Sequence, residues 1–158
     1  MAPYLDRERI MHTLHDDAVR ASLEQRLRAL RPDARRRWGR MTVDQMLWHV
    51  SAGLAVALGR IPAGNERRPP LPPAVIRFLV LYLPWPKGAP TLKAIIASGE
   101  RHDFEAERAR CLELMSDFAR KPMDSAWAAH PVFGAVSGRF VSRLQAKHLD
   151  HHLRQFGG

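Results

Sequence analysis

Four stretches of this chain repeat apolar residues every three or four positions, and none alternates every second residue as a half-buried strand does. Each such stretch predicts a helix with one apolar stripe, which must be buried against other helices. The first, DRERIMHTLHDDAVRASLEQRLRAL, places Ile10, Leu14, Ala18, Leu23, Leu27 and Leu30 at helical spacing, with a break near His15–Asp17. Arg31–Pro32 ends it, since proline lacks an amide donor and disfavours helix in the residue before it. The second begins at a capping box, Thr42-Val43-Asp44-Gln45, and runs to Gly59, with Met46, His49, Val50, Gly53 and Ala57 on one face. A third runs from about His102 to Ala119, with Phe104, Ala109 (or the stem of Arg108), Cys111, Leu112, Met115 and Phe118 as its stripe, and Lys121–Pro122 as its stop. The last runs from about Gly138 to Phe156. The fold class this predicts is all-α: a four-helix bundle.

Between the second and third long helices lies an excursion of some 40 residues. IPAGNERRPPLPP leads into a short apolar helix at about Ala74–Leu83, and PWPKGAPT follows as an irregular loop. Bundle connections are usually a few residues long, so a long one is expected to cover or shape a site. The 158 residues suit one domain over 1–158. MAPYLDRERIMHTLHDD has no apolar core of a signal peptide, and AVIRFLVLYLPW carries Arg77 and falls short of the roughly 20 residues that span a bilayer. One cysteine, Cys111, excludes an internal disulfide, and as part of an apolar stripe it is expected to be core filling in a cytoplasmic protein. The net charge of +9 raises the question of a nucleic-acid partner, but the basic residues are spread along the chain rather than gathered in one stripe. A nucleic-acid role and a membrane role are therefore not expected. The densest run, RLRALRPDARRRWGR, favours anionic ligands weakly.

The chain closes on KHLDHHLRQFGG. At about 100° per residue, Val141, Leu144, His148, His152 and Gln155 share one narrow helical face, with His151 at its edge and Asp150 directed to solvent. His148 and His152, four apart, stack on successive turns about 6 Å from each other, a spacing at which two imidazoles reach one cation. A metal needs further ligands, which a bundle supplies from a facing helix, and His49 on its apolar face is the candidate. Three neutral imidazoles suit Zn, Ni or Fe as divalent ions and leave a coordination position open to water or substrate. Each pattern taken alone is commoner as surface or hydrogen-bonded core histidine. His12, His15 and His102 are read as surface residues, and the four tryptophans mainly as packing, with Trp85 a candidate pocket wall. His148 is followed by Leu149, so the His-Glu pairing of a zinc peptidase is missing. No Ser–His–Asp pattern, phosphate-binding glycine loop or Cys-x-x-Cys pair is present.

WGRMTVDQMLWHV, PWPKGAPT and HPVFGAVSGRFVSRLQAKHLDHHLRQFG together resemble the DinB/YfiT-like superfamily of bacterial metal-binding four-helix proteins, and within it a branch of uncharacterised function. The resemblance implies an up-down-down-up bundle and a metal-holding triad at His49, His148 and His152, the residues that facing already selects. Relatives include metal-dependent thiol transferases that use bacillithiol or mycothiol, and maleylpyruvate isomerases. His130, in HPVFG, is a candidate for closing the pocket or for stabilising its own turn.

The leading expectation is a cytoplasmic, divalent-metal-dependent enzyme that activates a thiol or a water at the triad, in the manner of a thiol S-transferase. Its partners would be a small-molecule thiol and an electrophile, with arginines near the entrance holding a carboxylate-bearing thiol. The alternatives are a metal-dependent hydrolase and a stress-related metal-binding bundle without turnover, its site closed by His151, Gln155 or a carboxylate. A homodimer is open, because apolar bundle faces often pair.

Overall fold

A computed structural model describes residues 12–89 and 91–158. Among them lie α1 (Asp17–Ala29), α2 (Val43–Ala57), α3 (Pro73–Tyr82), α4 (Phe104–Arg120) and α5 (Gly138–Gln155), with a 3-10 turn at Lys93–Ile95. The predicted helices are present to within two residues at their described ends. The break expected at His15–Asp17 is where α1 starts, capped by the Asp16 carboxylate on the amides of Ala18 and Val19. The part of the first predicted helix before His12 lies outside the described residues.

Contacts along the helices give the topology. Leu14 donates to the Ser142 carbonyl and Arg26 pairs with Asp150, so α1 and α5 are parallel. Asp44 meets Arg101 and the His102 amide, while Arg60 meets Asp117, so α2 and α4 are parallel as well. His49 meets His148 and Gly53 meets Gln145, which makes α2 antiparallel to α5. His15 reaches Lys121 and Arg108 reaches Arg28, which makes α1 antiparallel to α4. The order is up-down-down-up.

α2 is the central helix. From Val43 to Val56 every residue is buried except Trp48, which is half-buried. Each fully enclosed side chain such as Met46, Leu47 or Leu54 contributes roughly 1.5–3 kcal/mol. Its first turn is fixed at Thr42, whose amide donates to Gln45 Oε1 at 3.0 Å. Asp44, buried beside it, accepts from the His102 amide at 2.9 Å and from Arg101 Nε at 3.0 Å. Burial alone would raise the Asp44 pKa, but these donors outweigh it and hold the carboxyl at about 2. On α4, Phe104, Cys111, Leu114, Met115 and Phe118 are buried against α2; Cys111 is core, its thiol pushed up to about 12 by burial. Arg108, not Ala109, completes that stripe, its guanidinium lying 5.1 Å over the Phe104 ring.

The excursion is tied to the bundle through backbone carbonyls. Arg77 donates to the carbonyls of Phe133 and Ala135. Lys147, on α5, caps the end of α3 by donating to the carbonyls of Val80, Leu81 and Leu83. Among the described residues no helix is long and apolar enough to cross a membrane.

Three surface assignments are corrected. His15 is half-buried: Nδ1 meets Ser142 Oγ at 2.8 Å and Nε2 meets the Lys121 carbonyl at 2.7 Å. His102 is half-buried and stacked on Trp48, centroids 5.4 Å apart, because Asp44 draws its amide inward. Asp150 is half-buried rather than solvated, paired with Arg26 and Arg154 at 2.8 Å each. His12 is exposed, as expected.

Candidate metal centre

The antiparallel contact of α2 with α5 brings His49 against two turns of the last helix. The rings of His49, His148 and His152 form a nearly equilateral triangle, with centroid separations of 4.8, 4.7 and 4.8 Å. All three are buried, at 2%, 9% and 9% exposure, and one ligand nitrogen from each lies within 4.8 Å of the others. Three nitrogens on one tetrahedral ion at 2.0–2.1 Å would stand about 3.3 Å apart. That value lies between the 2.9 Å separating His49 Nε2 from His148 Nε2 and the 4.8 Å within which all three ligand atoms fall. The described residues give no other such cluster of His, Cys, Asp or Glu.

Hydrogen bonds behind the rings decide which nitrogen faces the centre. His49 Nδ1 lies 2.6 Å from the Ile95 carbonyl, an acceptor only, so Nδ1 carries the proton and Nε2 keeps its lone pair. His152 Nδ1 lies 2.9 Å from Gln155 Oε1, whose own Nε2 donates to the Trp38 carbonyl at 2.8 Å. That bond orients the amide with oxygen toward the ring, so His152 also turns a bare Nε2 inward. Such outer partners hold ligating imidazoles in many metal sites. The 3-10 turn of the excursion thereby shapes the site, because it supplies the carbonyl behind His49.

His148 is set differently. A Cβ at Gly53 would lie 3.1 Å from His148 Cε1 and 3.2 Å from Nδ1, closer than a ring normally tolerates. Glycine at this mid-helix position lets the imidazole lie against α2. Gln145 Oε1, 3.7 Å from the same point, is buried without a hydrogen-bond partner, and its amide nitrogen reaches the Gly53 carbonyl at 3.5 Å.

Burial lowers the pKa of every histidine here. For His49 it is the main cause, opposed in part by the Ile95 carbonyl. His148 is pushed well below the usual imidazole range, by burial first and then by His49 and His152. His152 falls to about 3, by burial and then by His49. Neutral imidazole is the form that ligates a metal, and folding thus holds the triad ready at neutral pH.

A cavity of about 650 Å³ opens over the triad. Trp85, His151, His130 and Gln155 all line it, alongside Ile95 and Phe133. His151 is half-buried at its wall, its ring 5.5 Å from Trp85 and 5.8 Å from Trp38. His130 Nδ1 accepts the amides of Val132 and Phe133, and burial lowers its pKa to about 4, so this ring holds its own turn while facing the cavity. Sequence reasoning missed the Ile95 carbonyl, the Trp38 carbonyl and Gln145. Gly53 lay on the predicted face, four residues from His49, and a glycine amid a helical stripe was the available signal.

The chain matches no curated protein and no solved structure with which it was compared. A family model, the DinB superfamily, matches residues 15–156. With an all-helical bundle and three buried histidines meeting between α2 and α5, the chain belongs to the DinB superfamily.

Proposed function

We propose that His49, His148 and His152 hold a divalent first-row metal, Zn, Ni or Fe, and that the protein is a metal-dependent enzyme of the thiol-transferase type. The observation that carries this reading is the triangle of rings, two of which have Nδ1 engaged and Nε2 directed to the shared centre. The tautomer of His148 is the one that the donor set leaves to the ligand. His49 Nε2 is bare, so the 2.9 Å contact requires His148 to donate from Nε2. With a metal bound, Nε2 of His148 would be a ligand and the ring's proton would sit on Nδ1, which faces Gly53, as does Gln145 Oε1, a buried acceptor without a partner.

A divalent ion at this position would act as a Lewis acid and lower the pKa of a thiol or water. The protein's own contributions are orientation and exclusion. Ile95 and Gln155 fix the tautomers of His49 and His152, and Gly53 sets the ring of His148. Walls such as Trp85 and Phe133 remove water from a bound substrate, which strengthens electrostatic interactions inside the cavity. Gln155 commits both amide atoms, to His152 and to Trp38, so it supports the triad rather than serving as a fourth ligand. That favours an open position and turnover over a closed, purely structural shell. Thiol transfer is preferred to hydrolysis by analogy with the family, and a cytoplasmic location accompanies that preference.

The test is elemental analysis of the purified protein beside His49→Ala. About one equivalent of a first-row metal, lost in the variant with the helical fold retained, is the expected result. Wild-type protein that takes up no metal from Zn, Ni or Fe solutions would overturn the proposal.

A further inference from the structure

The cavity over the triad has a second chemical signature, at its rim. Its volume of about 650 Å³ lies within the roughly 300–1,000 Å³ of small-molecule sites. Its walls are apolar, with Ile76, Val80, Leu92, Phe133 and Leu144 among them. Apart from histidines, the charged residues lining it are Arg40, Arg67, Lys87 and Glu66. Glu66 Oε1 already accepts the Lys93 amide at 2.6 Å. The three cations are exposed, so they stand at the opening, whereas the triad is buried at the floor.

These cations differ from many others in the molecule. Arg20, Arg26, Arg60, Arg101 and Arg154 each pair with an aspartate or glutamate. Arg40, Arg67 and Lys87 have no carboxylate partner among the described residues. Lys87 Nζ instead lies 5.7 Å over the ring of Trp38, two residues before Arg40, so two of the three cations share one corner. An apolar ligand would leave this positive rim unused, and a cationic one would be repelled by it. A ligand with an apolar body and an anionic head satisfies both surfaces.

We propose that the cavity takes an amphiphilic anion, its alkyl or aryl body against the apolar walls and its carboxylate or phosphate head on Arg40, Arg67 and Lys87. The inference deepens the function proposed above by naming a substrate class for the same cavity, but it places the head at the rim and not on the metal. Arginine suits such a head because its planar fork matches the geometry of two oxyanion oxygens.

A matched ligand series tests it: decanoate, decyl phosphate, decanol and decylammonium, titrated calorimetrically into chelator-treated protein at low salt. The two anions are expected to bind about tenfold tighter than decanol, decylammonium weakest, with the preference shrinking as salt is added. In the Arg40→Gln/Arg67→Gln/Lys87→Gln variant, decanoate should fall to the level of decanol while decanol binding and metal content stay unchanged. Equal affinities across the series, or an anion preference that survives the triple substitution, would overturn the inference. A preference seen only in metal-loaded protein would also overturn it, by putting the head on the metal, while leaving the metal centre itself supported. Rim-dependent anion binding in a protein that takes up no metal would support the inference and sink the metal reading alone.

Discussion

Two sets of histidines join distant parts of this chain, and they use their nitrogens differently. His15 commits both, one to Ser142 Oγ and one to the Lys121 carbonyl, so it clasps α1 to α5 and to the end of α4 with nothing left to offer a ligand. Although a serine and a histidine meet there, Ser142 is fully enclosed and the histidine's second partner is a carbonyl, not a carboxylate. His49 and His152 each commit one nitrogen, to Ile95 and to Gln155, and turn the other toward a common centre. Burial and cross-helix reach are thus shared by a structural histidine and a candidate ligand. What separates them is the count of ring nitrogens already satisfied by protein.

The largest effect is expected behind the triad. Replacing Gln155 with Leu keeps the volume but removes the acceptor that orients His152, and metal affinity should fall about 10- to 100-fold. Competition against a chromophoric chelator measures this, and Gln155→Glu, which retains an acceptor, should recover much of the loss. Unchanged affinity in Gln155→Leu would mean that His152 is held by packing alone.

The His15 side predicts the opposite pattern. His15→Ala strands a buried serine hydroxyl and a carbonyl, so unfolding free energy should drop by about 2–3 kcal/mol in urea titration. Metal content should not change. A fall in bound metal would show that the two sets are coupled through α5.

A smaller effect follows from proton uptake by the metal-free protein. Burial holds the His152 pKa at about 3, against an ordinary value of about 6.5, so the unfolded chain accepts a proton that the folded one refuses. Stability is therefore fully present above about pH 6.5 and lost as pH falls from there toward 3, by about 1 kcal/mol per unit for this group. Denaturation curves at about pH 7.5, 6.5 and 5.5 test the sign, and a protein that becomes more stable on acidification would refute it.

Much of this arrangement is legible in the residues themselves. The three-and-four spacing of Met46, His49, Val50 and Gly53, and of Val141, Leu144, His148 and His152, shows which faces turn inward, and two inward faces bearing histidine imply a meeting. The capping box at Thr42 marks where α2 begins. His15, His102 and Asp150 were not readable as half-buried, because what covers them comes from far along the chain: Ser142 is 127 positions from His15. The Ile95 carbonyl was beyond reach for another reason, since a backbone group leaves no mark on side-chain pattern. Gln155 stood on the correct face, but its partner, the Trp38 carbonyl, did not show.

If one cation sits among the three imidazoles, anomalous diffraction from a zinc-soaked crystal will locate it. The predicted result is a single strong anomalous peak about 2.0–2.1 Å from Nε2 of His49, His148 and His152. A peak elsewhere, or none in well-ordered crystals, would contradict it.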